Sequence, residues 1–175
     1  MVIGLRIKLF DIEVYIEFSF LLMLSFALLL GSNDICYLLL FSSLHELGHL
    51  LSLYLVGGNA KSLKLSYYGL ALKYDSQLSR CKETIVLISG PVVNLFCYLL
   101  FRDDINLLLL ILNSLPIYPI DLGRIIRLYN YKLSKILSFI LVIILLVLSV
   151  YLLIKNHSIS LLFITCYLII YSINY

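Results

Sequence analysis

Charged residues are scarce in this chain: Asp, Glu, Lys and Arg make up 13% of its 175 residues, whereas 62% are apolar. A soluble globular domain is roughly half apolar and about a quarter charged, so this chain cannot enclose one core within a water-facing surface. The composition also excludes a disordered chain, and a net charge of +3 is too small for a nucleic-acid binder. The mean hydropathy of +1.06 indicates that most of the chain lies in a membrane.

Cysteine is sparse as well, and it forms no recognisable framework. The four cysteines show no Cys-x-x-Cys pair and no regular spacing: Cys36, Cys81, Cys97 and Cys166. Three of them lie in apolar runs, where a thiol behaves as a small apolar side chain. The sequence therefore predicts neither a disulfide scaffold nor a redox site.

Long apolar segments predict an all-α polytopic membrane protein, since a helix needs roughly 17 to 25 residues to cross the hydrocarbon layer. Six segments are candidates: about 14–30, 35–56, 84–101, 105–123, 136–154 and 159–175. No small-residue cleavage site follows the first, so we expect a retained helix rather than a signal peptide. Because no repeat or linker interrupts the chain, we expect a single integral-membrane domain over residues 1–175, without an additional regulatory domain.

The basic residues predict how the chain is oriented. With six spans, 11 of the 13 Lys and Arg residues fall on the side of the amino terminus, and only Arg102 and Lys155 fall on the other. Cytoplasmic loops carry the basic excess. We therefore expect a multi-pass protein of the cell membrane with both termini in the cytoplasm.

One cytoplasmic segment has the pattern of a β-hairpin. Residues 61–67 and 70–74 alternate apolar with polar or small residues on either side of Tyr68-Gly69. Residues 2–9 can add a strand, which would give a small sheet at the cytoplasmic membrane surface. The alternative is an amphipathic surface segment without a special function.

Three ionisable residues lie together in the second predicted span, within the sequence His-Glu-Leu-Gly-His at 45–49. Each is costly at membrane depth, by roughly 2.5–3.5 kcal/mol. On a helix His45 and His49 share a face and can bind one metal ion, with Glu46 beside them as general base; this is the H-E-x-x-H arrangement of zinc hydrolases. The alternative is mutual hydrogen bonding inside a helix bundle, although an apolar bundle packs more cheaply without titratable groups. The remaining histidine, His157, is expected to be solvated in an external loop.

Catalytic zinc needs a third protein ligand and an open position. Outside the histidine motif, two carboxylates remain within the predicted spans, Glu17 and Asp121. Glu17 is interpreted as an interfacial carboxylate that reaches toward water. Asp121 follows Pro116 and Pro119, which break the fourth span. A broken backbone at membrane depth implies a cavity toward which this carboxylate can turn.

Two asparagines are further polar candidates within the spans. Asn94 follows Ser-Gly-Pro at 89–91, and Asn113 opens the proline segment. Either amide can bind the substrate backbone or a developing oxyanion. For each, the alternative is an interhelical hydrogen bond.

With these residues assembled, the sequence resembles the site-2 protease family, the intramembrane zinc metalloproteases of peptidase family M50. It is most similar to the compact six-helix group that includes the sporulation protease processing a pro-sigma factor. The resemblance rests on residues 45–49, 89–94 and 113–124. It implies these roles: zinc ligands His45, His49 and Asp121; general base Glu46; substrate-binding or oxyanion residues Asn94 and Asn113. Relatives usually have glycine directly after the ligand aspartate, where this chain has Leu122 followed by Gly123.

The resemblance also implies the reaction and the partners. We expect one catalytic Zn²⁺ and hydrolysis of a peptide bond in or near a transmembrane segment of a membrane-tethered protein, with the active site in the cytoplasmic half of the bilayer. The hairpin at 61–74 can pair with the unwound substrate as an added strand, and separate membrane proteins can provide regulation. The substrate is a protein and not a nucleic acid.

Two other functions fit parts of the pattern, and so does a zinc peptidase of another membrane family. A metal transporter needs polar groups along a path open to both sides, whereas the external halves of the predicted spans are nearly bare. A non-catalytic zinc-binding scaffold needs the loss of only one site group, although His45, Glu46, His49 and Asp121 are all intact. A different membrane family with H-E-x-x-H is disfavoured by the ligand order and by the proline segment.

Overall fold

The computed structural model describes residues 4–9, 12–31, 33–66, 69–74, 78–156 and 165–166. The chain divides into two compact units, Met1–Leu112 and Asn113–Tyr175. The predicted sixth span, 159–175, lies outside the described residues apart from 165 and 166, and His157 also lies outside them.

The first unit contains a four-stranded mixed sheet in the order β1-β2-β3-β4. Its strands are β1 Gly4–Leu9, β2 Ile12–Glu17, β3 Ala60–Ser66 and β4 Gly69–Tyr74. β1 is antiparallel to β2, β2 is parallel to β3, and β3 is antiparallel to β4. The predicted hairpin is confirmed as β3 and β4. The amino-terminal strand is present too, but it reaches the hairpin only through β2.

The first predicted helix begins too early, because residues 14–17 belong to β2 and α1 covers Phe18–Leu30. From Ile12 to Glu17 apolar and polar residues alternate, which is the period of a strand. A strand places the polar residues of this segment on one face of the sheet, where Lys64 Nζ lies 2.7 Å from the Glu17 carboxylate. With 13 residues, α1 is shorter than a membrane span requires.

Two long helices follow in the first unit, α2 Asn33–Leu55 and α3 Arg80–Phe101. They correspond to the predicted spans 35–56 and 84–101, and both are long and apolar enough to cross a membrane. A core cluster of Leu53, Ala60 and Val86 joins α2, β3 and α3. The sheet is thus anchored at the carboxyl-terminal end of α2.

The outer surfaces of these helices are apolar. On α2, Leu51 and Leu55 are 64% and 88% exposed, and on α3 Phe101 is 63% exposed. Extensive apolar surface is unfavourable in water and marks a protein or membrane contact. These helices therefore suit a lipid environment.

The predicted fourth span, 105–123, is not one helix. The helix α4 covers Asp104–Asn113, and after an irregular stretch α5 covers Asp121–Tyr129. Pro116 and Pro119 lie in that stretch, and proline removes a backbone donor and clashes with the preceding turn. Asp121 therefore begins a helix of its own instead of lying near the end of a span.

The second unit continues with α6, Tyr131–Asn156. It covers the predicted fifth span, 136–154, and is the third helix in the described part of the chain that is long and apolar enough to cross a membrane. The structure is therefore mostly helical with a small mixed sheet, as expected. Three candidate spans are found among the described residues where six were predicted for the whole chain.

Candidate metal centre

The two histidines of the motif meet on the buried face of α2. His45 and His49 are each 5% exposed, and their Nε2 atoms lie 3.1 Å apart. The rings are perpendicular, with centroids 4.7 Å apart. Two nitrogens that bind one zinc ion tetrahedrally at 2.0–2.1 Å lie roughly 3.3 Å from each other. The observed spacing therefore fits two ligands of a single ion.

Glu46 completes the group on α2. One carboxylate oxygen of Glu46 and one nitrogen each of His45 and His49 lie within 4.8 Å of one another. Glu46 is half-buried, so the carboxylate is not sealed in the protein interior. In an H-E-x-x-H motif the glutamate serves as general base and not as a ligand. Its distance from the imidazoles suits proton transfer from a water molecule at the site.

The neighbouring helix α3 fixes the His49 ring. The His49 Nδ1 lies 2.7 Å from the backbone carbonyl oxygen of Val86, which also accepts a hydrogen bond of 2.6 Å from the Ser89 hydroxyl. A carbonyl oxygen can only accept, so Nδ1 carries the ring proton of neutral His49. The Nε2 lone pair is then available for a metal ion.

Gly90 of α3 leaves space beside both imidazoles. A Cβ at this position would lie 2.5 Å from His49 Nε2 and 2.6 Å from His45 Nε2. Real Cβ atoms essentially never come so close, so any side chain here would push the rings away. The sequence pattern Ser-Gly-Pro at 89–91 is the signal of this close approach. The residues present therefore fit a bound metal ion.

Asn94, also on α3, contacts the other ring. It is fully buried, and its Nδ2 lies 2.9 Å from His45 Nδ1. Its Oδ1 is buried without a hydrogen-bond partner. The amide thus lies on the side of the imidazole away from Nε2, as an interhelical contact between α3 and α2. The predicted contact of Asn94 with substrate or oxyanion stays a prediction.

Asp121 and Asn113 belong to the second unit. Asp121 is the first residue of α5 and is 7% exposed, whereas Asn113 ends α4 and is half-buried. Their roles as metal ligand and oxyanion donor remain predictions. Both residues flank the irregular proline stretch, whose backbone follows an unusual path in which the Tyr118-Pro119 peptide bond is cis.

The proline stretch is held by hydroxyl groups of α6 that sequence reasoning did not identify. The Tyr118 backbone N–H donates to Ser138 Oγ over 3.0 Å, and Ser134 Oγ donates to the Gly123 carbonyl over 3.3 Å. Ser134 and Ser138 are both buried. Ile117, fully buried, packs against Val142 of α6. The backbone on both sides of Asp121 is therefore fixed by α6.

Gly123 explains the departure from the usual motif. A Cβ at Gly123 would overlap the backbone carbonyl of Ile117, so the stretch before α5 closes directly onto its first turn. Leu122 is half-buried and has room for its side chain. In this chain the position that requires glycine lies two residues after Asp121.

Glu17, the other carboxylate considered as a ligand, has a different environment. Besides its contact with Lys64, it accepts a hydrogen bond of 3.1 Å from the Ser19 hydroxyl. Hydrogen bonding from the Lys64 ammonium is the main cause that holds the pKa of the Glu17 carboxyl below its ordinary value. Glu17 therefore stabilises the sheet as a charged group paired with a lysine.

No protein-family model matches the chain, and no curated protein matches it by sequence. Its structure is similar to that of a site-2 protease from Methanocaldococcus jannaschii, with a TM-score of 0.64 and 20% sequence identity. The similarity covers 98% of this chain and 94% of the other. At this identity it concerns the fold, and the chemistry depends on the residues described above. The chain has the fold of a site-2 protease.

Proposed function

We propose that this protein is an intramembrane zinc metalloprotease that hydrolyses a peptide bond in or near a transmembrane segment of a membrane-tethered protein. The observation that carries the proposal is the pair of buried imidazoles whose Nε2 atoms lie 3.1 Å apart, with the Glu46 carboxylate in the same group. The site-2 protease fold and the long apolar helices support it.

The proposed ligands of the zinc ion are His45, His49 and Asp121. Two imidazoles and one carboxylate match the donor types of catalytic zinc sites, which keep a fourth position open. Asp121 is proposed from its sequence position after the two prolines. When bound, zinc polarises a carbonyl group and makes water acidic enough to ionise near neutral pH.

Glu46 acts as the general base and then as the general acid. It takes a proton from the attacking water, whose oxygen forms a bond to the scissile carbonyl carbon. As the C–N bond breaks, Glu46 delivers that proton to the leaving amine. Asn113 is proposed as a donor to the developing oxyanion.

The substrate must be extended before it is cleaved, because a helix engages its carbonyl groups in its own hydrogen bonds. We propose that β4, an edge strand of the sheet, pairs with the extended segment and holds it by backbone hydrogen bonds. The proposed topology has six spans, cytoplasmic termini and a site in the cytoplasmic half of the bilayer. Separate membrane proteins would provide regulation.

The test compares the wild-type protein with Glu46→Gln in membranes that contain candidate single-span substrates. We expect the variant to lose cleavage by a factor of about 10²–10⁴ while its zinc content stays unchanged. Glu83→Gln, which alters an acid in the first turn of α3, is the matched control and should cleave normally. Equal cleavage by wild type and Glu46→Gln would show that Glu46 is not the base. A zinc-loaded wild type that cleaves none of the substrates supports the scaffold alternative.

The third ligand has its own test. Asp121→Ala should bind zinc more weakly than the wild type, as measured by competition with a chelating dye, whereas Glu46→Gln should bind it normally. Unchanged zinc affinity in Asp121→Ala means that Asp121 is not a ligand. Asn113→Ala should lower the cleavage rate and leave zinc affinity unaltered, because an oxyanion donor acts on the transition state.

A further inference from the structure

The contact between Asn94 and His45 poses a problem for metal binding. With Nδ2 facing His45 Nδ1 at 2.9 Å, the amide is the donor and the imidazole nitrogen must accept. Neutral His45 then carries its proton on Nε2, which can donate to His49 Nε2 at 3.1 Å but leaves no lone pair for a metal ion. In the same orientation the buried Oδ1 of Asn94 has no hydrogen-bond partner.

A half-turn of the amide about χ2 removes both difficulties. The two ends of an asparagine amide have nearly the same shape, so its orientation follows from the hydrogen bonds it can make. After the half-turn Oδ1 faces Nδ1 and accepts its proton. The ring proton then resides on Nδ1, and Nε2 of His45 becomes available on the side of Gly90.

His49 shows the same arrangement with a different acceptor. Its Nδ1 faces the Val86 carbonyl oxygen, which can only accept. With Asn94 Oδ1 facing His45, each imidazole of α2 has one acceptor, and both acceptors come from α3. A hydrogen-bond acceptor behind a metal-binding imidazole sets its tautomer and its orientation.

We propose that Asn94 is a positioning residue whose Oδ1 accepts the Nδ1 proton of His45 and so keeps Nε2 free to bind the metal. The proposal rests on the metal site of the proposed function. It differs from the predicted substrate or oxyanion role, because Asn94 is 0% exposed and lies behind the ring. An amide in that place acts through His45.

The first test reads the tautomer in the metal-free, full-length protein. The chain has 3 histidines, so ¹⁵N-histidine labelling in detergent micelles gives few signals, which can be assigned by replacing each histidine in turn. Without a metal ion, His49 Nε2 lies 3.1 Å from His45 Nε2 and can accept its proton, so the tautomer is read in His49→Leu, which lacks this competing acceptor. There, at a pH where the imidazole is neutral, His45 should carry its proton on Nδ1. Asn94→Leu should abolish this preference. A His45 that keeps its proton on Nε2 in His49→Leu would overturn the proposal.

The second test measures Zn²⁺ affinity in three variants. Asn94→Leu should weaken binding about 10- to 100-fold, and Asn94→Asp, which keeps an oxygen acceptor, should bind close to the wild-type level. Asn106→Leu is the matched control, because Asn106 is the other fully buried asparagine of the first unit in the part of the chain that the structure describes. It should leave both tautomer and affinity unchanged.

The two measurements separate this proposal from that of proteolysis. If Asn94→Asp binds Zn²⁺ as weakly as Asn94→Leu, an acceptor at this position is not what matters and the proposal is wrong. It is also wrong if Asn94→Leu binds as tightly as the wild type. The expected tautomer and affinities in a protein that cleaves no peptide would sustain the positioning role and refute the proposed protease activity. Normal cleavage by a protein whose His45 tautomer does not depend on Asn94 would refute the positioning role and support the proposed protease activity.

Discussion

The two segments that carry the proposed metal ligands are constructed differently. The histidines lie on an unbroken helix, and α3 contacts their rings directly through the Val86 carbonyl and the open position at Gly90. Asp121 begins a short helix after an irregular stretch, and the described contacts around it hold the backbone. Ser138 accepts from the Tyr118 N–H, while the main chain at Gly123 approaches Ile117 too closely for a side chain.

This difference determines how each segment should respond to substitution. Next to the histidines, an added side chain would collide with the imidazole nitrogens themselves. It can therefore weaken metal binding without any change in the backbone. Around Asp121, substitutions would first displace the backbone. Metal binding would weaken only because this displacement moves the Asp121 carboxylate. Substitutions of similar size should therefore have the larger effect in the histidine segment.

The largest effect is expected for Gly90→Ala. Alanine stabilises a helix interior by about 1 kcal/mol relative to glycine. Any loss of zinc affinity must therefore come from the collision of its Cβ with the two Nε2 atoms, at 2.5–2.6 Å. Zinc affinity should fall by more than about 100-fold. The loss is expected to exceed the 10- to 100-fold effect of removing a hydrogen-bond partner of a metal ligand, because both imidazoles are displaced. Isothermal titration of the purified protein with Zn²⁺ measures it.

Gly48→Ala is the control for Gly90→Ala. A Cβ at Gly48 would lie 2.8 Å from Val93 Cγ2 and 3.0 Å from the Ser89 carbonyl oxygen, so it strains the same helix pair without touching the rings. This variant should unfold at a lower temperature and bind zinc normally when folded. Equal losses of zinc affinity in both variants would mean that helix packing alone explains the effect of residue 90.

The next largest effect is expected for Gly123→Ala. Its Cβ would collide with the Ile117 carbonyl, and relieving such overlap costs about 1–3 kcal/mol. We expect a lower unfolding temperature and, because Asp121 moves with the backbone, zinc affinity reduced by about tenfold, which corresponds to about 1.4 kcal/mol. Leu122→Gly, which places glycine directly after the aspartate, should lose about 1 kcal/mol of helix propensity together with the packing of the half-buried Leu122 side chain, and no zinc affinity. The opposite ranking of these two variants would contradict the structural role of Gly123.

The sequence predicts the histidine segment far better than the Asp121 segment, and the reason is the range of the interactions. Residues 45–49 form their group through the i, i+4 spacing of a single helix, which is a local property. The hairpin of β3 and β4 also follows from local alternation. The contact of Tyr118 with Ser138 joins residues that are 20 positions apart, and no local pattern marks a serine of an apolar helix as its partner.

The missed strand β2 and the broken fourth span have another cause. Over short stretches, apolar content alone does not distinguish a strand from the beginning of a helix, so the apolar segment of the first predicted span extends back over residues 14–17. The alternation from Ile12 to Glu17 is the signal that identifies the strand. In the fourth span both prolines predict a break, but which helix Asp121 belongs to depends on where the helical chain resumes after them. That point is set by packing on α6.

A smaller effect is expected for Ser138→Ala. The variant removes the acceptor of the part-buried Tyr118 N–H, which costs about 0.5–1.5 kcal/mol. Thermal unfolding should shift accordingly, whereas zinc affinity should change by less than about threefold, well below one pKd unit, because Ile117 still anchors the stretch to α6. Ser149→Ala alters another buried serine of the same helix, whose hydroxyl donates to the Leu146 carbonyl, and serves as control. A large loss of zinc affinity in Ser138→Ala alone would show that a single hydrogen bond sets the position of Asp121.

The smallest effect is expected at the sheet, which carries neither the histidines nor Asp121. Hydrogen bonds from the Tyr15 hydroxyl and then from the Arg6 guanidinium hold the pKa of the Glu13 carboxyl below its ordinary value. A lowered pKa means that the ionised carboxylate stabilises the fold at neutral pH, and that this stabilisation disappears as the pH falls through the pKa of Glu13 in the folded protein. The unfolding temperature of Glu13→Gln should therefore be slightly below that of the wild type at neutral pH and equal to it in acid, with zinc affinity unchanged. A difference that is constant across this pH range would mean that the charge of Glu13 contributes nothing, as is common for exposed ion pairs.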